Sequence, residues 1–190
     1  MKNFQYIFRK VNEITDTVIH SFEDNEHKEF DLHDGVIIGL LEEIIGKIKS
    51  LEILVTKENF NAIDTIMRST FEAYVYLMFI LEKDTEKRAK AYAFKSKLDE
   101  LKLFELYTGN DSEGKSIRRF LNIPQEEILR LNSHITPEYI NQYKEKYKNL
   151  YKPSEMKKKW YNFNGKTNNF EQLCKSIKKE EEYQLIYRFF

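Results

Sequence analysis

Arg68 and Glu72 are the two polar side chains whose types and spacing could do chemistry in this sequence. Four residues apart on a helix, a guanidinium and a carboxylate lie on one face. There the pair can orient a substrate phosphate or hold a catalytic group in position. Asp64 sits a further four residues back, so the stripe reads acid, guanidinium, acid. The commoner use of such a stripe is an ion-pair network linking a core helix to its neighbours. Removing one member of a buried pair costs about 3–5 kcal/mol, so lost activity alone would not separate the two uses.

A second set lies between Tyr143 and Tyr161. Lys144, Lys146, Lys148, Lys152, Lys157, Lys158 and Lys159 outnumber Glu145 and Glu155, with Tyr143, Tyr147, Tyr151, Trp160 and Tyr161 among them. Lysines neutralise phosphates and aromatic faces stack on unpaired bases. Single-stranded RNA is the ligand this composition suggests, with Lys144, Lys148, Lys152, Lys157, Lys158, Lys159 and Trp160 as contacts. The plainer reading is a solvated lysine face whose tyrosines pack inward at i, i+4, i+8.

Other chemistry is poorly supported. His20, His27, His33 and His134 match no standard ligand spacing, so no metal or other cofactor is expected. Arg130 and His134 have three residues between them and are not promoted to a site. Cys174 has no histidine near it in sequence and reads as inert. Thirty-one basic and thirty-one acidic residues cancel, so a polyanion would have to be drawn by a local patch. A single cysteine excludes an internal disulfide and fits a reducing cytoplasm. The first residues lack the unbroken apolar run of a signal peptide, and Phe71–Leu81 is about half of a bilayer span. A soluble, cytoplasmic protein with no membrane partner is expected.

The elements that must position these residues are helices. Glycine (6) and proline (3) are scarce while charge is high, which favours long helices over a loop-rich sheet. Phe4, Ile7, Val11, Ile14, Val18 and Phe22 define a first apolar stripe, ending in the acidic segment 21–30. A second helix, about 31–57, starts on Asp31 and shows Ile37, Leu41, Ile44, Ile48, Leu51 and Val55 on one face. Gly35, Gly39 and Gly46 within it suggest a close approach by another helix. The central helix, about 59–83, holds DTIMRSTFEAYVYLMFIL (64–81), whose second half offers no face to water apart from Glu72. A fourth helix, 85–107, ends at Gly109-Asn110-Asp111 through the left-handed C-cap that glycine and asparagine tolerate. Two short helices, about 124–132 and 137–150, follow, the latter capped by Thr136. The stretch 162–169 is a turn-rich loop, and a last helix carries Tyr183, Ile186, Tyr187 and Phe190 on one face.

Three stretches together resemble an uncharacterised bacterial family, domain-of-unknown-function family 5677. They are Arg68-Ser69-Thr70-Phe71-Glu72-Ala73, then Glu86-Lys87-Arg88-Ala89-Lys90-Ala91-Tyr92, and Trp160 followed by Glu182-Tyr183-Gln184-Leu185-Ile186-Tyr187-Arg188. That family is similar in organisation to the all-helical HEPN proteins of prokaryotic defence and toxin–antitoxin systems. Many of those are dimeric, metal-independent ribonucleases with an Arg-x(4–6)-His motif. The resemblance implies Arg188 as that arginine, and the family pattern continues into a serine and a histidine a few residues on. The histidine would lie beyond Phe190, so either the native chain continues or it does not catalyse by that route.

The expectation is a single all-α domain, 1–190: an up-and-down, HEPN-like bundle of four long helices in 1–109, flanked by shorter helices in 110–190. The candidate catalytic residues are Arg188, Arg68 and Glu72. The expected function is RNA binding in bacterial defence or stress response, with metal-independent ribonuclease activity when the chain is complete. A homodimer is expected, helped by the apolar pair Phe189-Phe190, and an antitoxin or other protein partner is conceivable. The alternative is a non-enzymatic helical module that binds a protein.

Overall fold

A computed structural model describes residues 31–151 and 159–188, together with eight helical positions between 6 and 20. The apolar stripe from Phe4 to Phe22, the acidic segment 21–30, His27, Lys152, Lys157, Lys158, Phe189 and Phe190 lie outside the described residues. The protein is an all-α helical bundle, with no strand among the described residues. Its helices are α1 (Leu32–Thr56), α2 (Ile63–Glu82), α3 (Thr85–Thr108), α4 (Ser112–Leu121), α5 (Gln125–His134), α6 (Pro137–Lys148), α7 (Phe170–Ser176) and α8 (Glu180–Arg188).

The chain divides into two compact units, one formed by 1–89 with 167–190 and the other by 90–166. In the first, α2 packs against α1 and also receives α7 and α8, which return from far along the sequence. Phe71, Ala73, Val75, Leu77, Phe79 and Ile80 are buried along α2, as the apolar run predicts. Water nevertheless reaches one face of it, because Met78 and Leu81, three residues apart, are exposed. On α1, Leu40, Ile45 and Leu51 are the buried apolar residues, whereas Val55 is exposed. Gly35, Gly39 and Gly46 are exposed too, and a Cβ on any of them would meet no described atom within 4 Å. Among the described residues, no helix makes the expected close approach there.

The end of α2 is sealed by a residue from the next helix. Asp84, at φ 49°, turns the chain, and Arg88 folds back under the last turn. Its Nη1 donates to the Phe79 carbonyl and lies 3.1 Å from Glu82 Oε2, while the guanidinium carbon sits 3.7 Å from the centre of the Phe79 ring. A helix C-terminus leaves carbonyls unsatisfied and carries partial negative charge, so a buried cation suits both needs.

In the second unit, α4 was not foreseen. Asp111 caps it, its side chain accepting from Gly114 N at 2.7 Å, and Arg118 Nη1 reaches back to the Gly109 carbonyl at 2.7 Å. Gly109 is not left-handed; among the described residues the positive-φ positions are Glu58, Asp84, Asn122, Lys178 and Gly165. Helix α3 therefore hands over to α4 through the Asp111 cap and the close approach of Gly114, not through a left-handed glycine. Thr136 caps α6 as expected, accepting from Tyr139 N at 3.2 Å.

Candidate functional site

The first unit brings Arg68 and Glu72 against α8, but not as the ion pair their spacing suggests. Glu72 Oε1 accepts a hydrogen bond from the hydroxyl of Tyr187, the residue before Arg188. Arg68 instead lies over the Tyr187 ring, with its guanidinium carbon 5.5 Å from the ring centre. Arg68 Nε is buried and has no hydrogen-bond partner, and Asp64 is exposed. Tyr187 thus holds the acid through its hydroxyl and the base through its face. A ring cluster fixes it there: Tyr183 stacks on Tyr187 at 4.8 Å, and Phe170 lies 5.7 Å from Tyr187 and edge-on to Phe71 at 6.0 Å. Arg188 itself is exposed at the end of α8.

Beside this cluster an apolar pocket of about 320 Å³ opens between α1, α2 and α8, lined by residues that include Ile44, Ile48, Phe71, Tyr74 and Ile186. Cys174 is fully buried on α7, and loss of solvent pushes its thiol up to about 12, which fits the inert thiol expected from sequence.

Burial, followed by the hydrogen bond to Glu72, raises the Tyr187 hydroxyl well above its ordinary value of 10.0. Burial raises Tyr151 as well. In the unfolded chain both hydroxyls ionise near pH 10.0, while in the folded protein they stay protonated. Alkali therefore draws protons from the unfolded state first, and stability falls as pH rises past that value. Denaturant midpoints measured at pH 8 and pH 11 should drop across this interval, and Tyr187→Phe should flatten the decline. Equal midpoints at the two pH values would contradict the buried hydroxyls.

The second unit holds the basic-aromatic stretch. Its tyrosines pack inward: Tyr143 meets Phe94 edge-on at 6.0 Å, Tyr147 meets Tyr151 at 5.1 Å, and Tyr151 stacks on Phe163 at 5.0 Å. Trp160 is buried, set edge-on against Tyr92 at 5.1 Å, and its carbonyl accepts from the Tyr151 hydroxyl. Its ring is a core element and presents no open face to a base, which corrects the expectation that it is a stacking contact. Lys144, Lys148 and Lys159 are exposed, with Lys148 3.8 Å from Glu145. A small cavity of about 150 Å³ between α3 and α6 has Lys95, Lys102 and Lys144 in its lining, with Glu105 among them. Sequence reading also passed over the charge split between the units. Residues 90–166 carry sixteen Lys/Arg and ten Asp/Glu, a net charge of +6, against fifteen and twenty-one in the remainder.

One group of possible metal ligands exists among the described residues: Asp31, His33 and Asp34, with ligand atoms within 4.8 Å of one another. Asp34 already accepts from the Asp31 backbone N–H, so the two acids have a sufficient role at the α1 N-terminus.

The model of a family of unknown function, DUF5677, matches residues 34–190. The chain belongs to DUF5677. The match takes in all eight described helices apart from the first two residues of α1. Every residue of the Arg68–Glu72–Tyr187 cluster lies within the DUF5677 match, as do the inward-packed tyrosines of the second unit. No curated protein and no solved structure matches this DUF5677 chain. No described helix is long and apolar enough to cross a membrane.

Proposed function

We propose that this DUF5677 protein binds single-stranded RNA through its 90–166 unit, as a HEPN-like cytoplasmic protein of bacterial defence or stress response. The charge of that unit carries the reading. A net +6, partly displayed on exposed Lys144, Lys148 and Lys159, is a local attraction for phosphates that the balanced whole-chain composition conceals. Cleavage, when it occurs, needs no metal and uses Arg188, with Arg68 and Glu72 setting α8 in place through Tyr187. A homodimer is the assembly this reading carries with it.

The test is anisotropy of a labelled oligouridine in EDTA, titrated with salt. Wild type should bind with an affinity that falls steeply as salt rises, and Lys144→Glu with Lys148→Glu should weaken it about tenfold or more. Arg188→Ala should abolish any cleavage while leaving binding intact. Negligible, salt-insensitive binding by wild type would overturn the reading. It would favour the second one, a protein-binding module, which the open apolar pocket of the first unit supports.

A further inference from the structure

If Trp160 is in the core, an RNA-binding surface on the 90–166 unit needs another aromatic to receive a base. Phe120 stands out there, 85% exposed at the end of α4 and the most exposed of the large hydrophobic side chains described. A phenylalanine left in water forgoes the stabilisation that burial would contribute. The adjoining face of α4 is basic, while Glu113, seven residues back, shares the face of Phe120 itself. Lys115 and Arg119, four residues apart and both exposed, share a face of α4, while Arg118 is tied to the Gly109 carbonyl. Glu113, in the first turn, is the one acid within α4. Arginines in a last turn also offset the helix dipole, so their charge alone would say little. The exposed ring has no such role.

We infer that Phe120 is a base-stacking platform for single-stranded RNA, with Arg119 and Lys115, on the adjoining face of α4, contacting neighbouring phosphates. The inference rests on the RNA-binding reading and gives it a specific contact. Every base has a flat face, so such a platform tolerates sequence, and the affinity it adds is insensitive to salt, unlike that of the lysines. The short α4 is suited to hold it: the Asp111 cap fixes one end and the left-handed Asn122 closes the other directly after Leu121. The ring is therefore presented on an anchored helix end.

The experiment compares wild type, Phe120→Ala, Phe120→Tyr and Phe120→Trp for binding to the same labelled oligouridine. Because the ring is exposed, all four should fold with similar denaturant midpoints. Phe120→Ala should weaken binding about tenfold with an unchanged salt slope, and Phe120→Tyr should restore it. In Phe120→Trp, tryptophan emission should be quenched as RNA is added, whereas wild type, with its only tryptophan buried, should show little change. Phe120→Ala binding as tightly as wild type, while Lys144→Glu with Lys148→Glu still weakens it, would overturn the stacking role and leave the RNA reading standing. So would an unchanged RNA affinity accompanied by loss of self-association, since that assigns the ring to a second copy of the chain. No binding by wild type would end both.

Discussion

Arg88→Ala is expected to destabilise the protein by about 3 kcal/mol, with Phe79 and Glu82 left behind at the end of α2. The side chain is buried, and it meets the Phe79 carbonyl, the Glu82 carboxylate and the Phe79 ring together. Truncation removes a charged donor from the carbonyl, a bond worth about 1.5–3 kcal/mol, and empties the space against the ring. The ion pair adds little to that sum, because Glu82 is about half exposed and its charge is screened. Glu82→Gln should therefore shift the denaturant midpoint by under about 1 kcal/mol. Arg88→Lys should fall between, since an ammonium keeps the charge but neither the planar stacking nor the fork of donors. Midpoints at an unchanged denaturant slope provide the measurement. Equal losses for Glu82→Gln and Arg88→Ala would mean that the ion pair, not the carbonyl cap, holds the helix end.

How far the sequence reveals such features depends on the range over which they are set. The buried run from Phe71 to Ile80 and the Thr136 cap depend on neighbours a turn or less away, and both were legible. Glu72 pairs with Tyr187, 115 positions on, and no spacing rule reaches that far. The same long-range contact explains why the local Arg68–Glu72 pairing fails: a tyrosine hydroxyl from α8 takes the carboxylate, and the guanidinium settles on the ring. Trp160 misleads for a related reason. Lysines before it suggest an exposed strip, yet Tyr92, far back on α3, supplies the partner that buries it. Charge was readable by count but not by place, because only the division into two units shows that the zero total is +6 set against −6. By residue type Gly109 reads as the turn, yet Gly114 makes it possible, since a close approach of two backbones leaves no trace in residue type beyond glycine itself.

That close approach sets up the second large effect. A Cβ on Gly114 would sit 2.4 Å from the Gly109 carbonyl oxygen and 2.9 Å from that of Leu106. Both are backbone atoms, so no rotamer change can relieve the clash. The start of α4 would have to move away from the end of α3, stretching the Asp111–Gly114 cap and the Arg118–Gly109 bond, each 2.7 Å long. Overpacking of this kind costs about 1–3 kcal/mol and a lost cap about 1 kcal/mol more, so Gly114→Ala should destabilise by about 2–4 kcal/mol. Gly39→Ala makes the same chemical change on an exposed face of α1 where no described atom lies within 4 Å, and should stabilise by up to about 1 kcal/mol through helix propensity. Opposite signs for one added methyl group can arise only from local backbone geometry. If both variants moved the midpoint upward, α4 would not be seated on the end of α3, and the anchored presentation of Phe120 would lose its support.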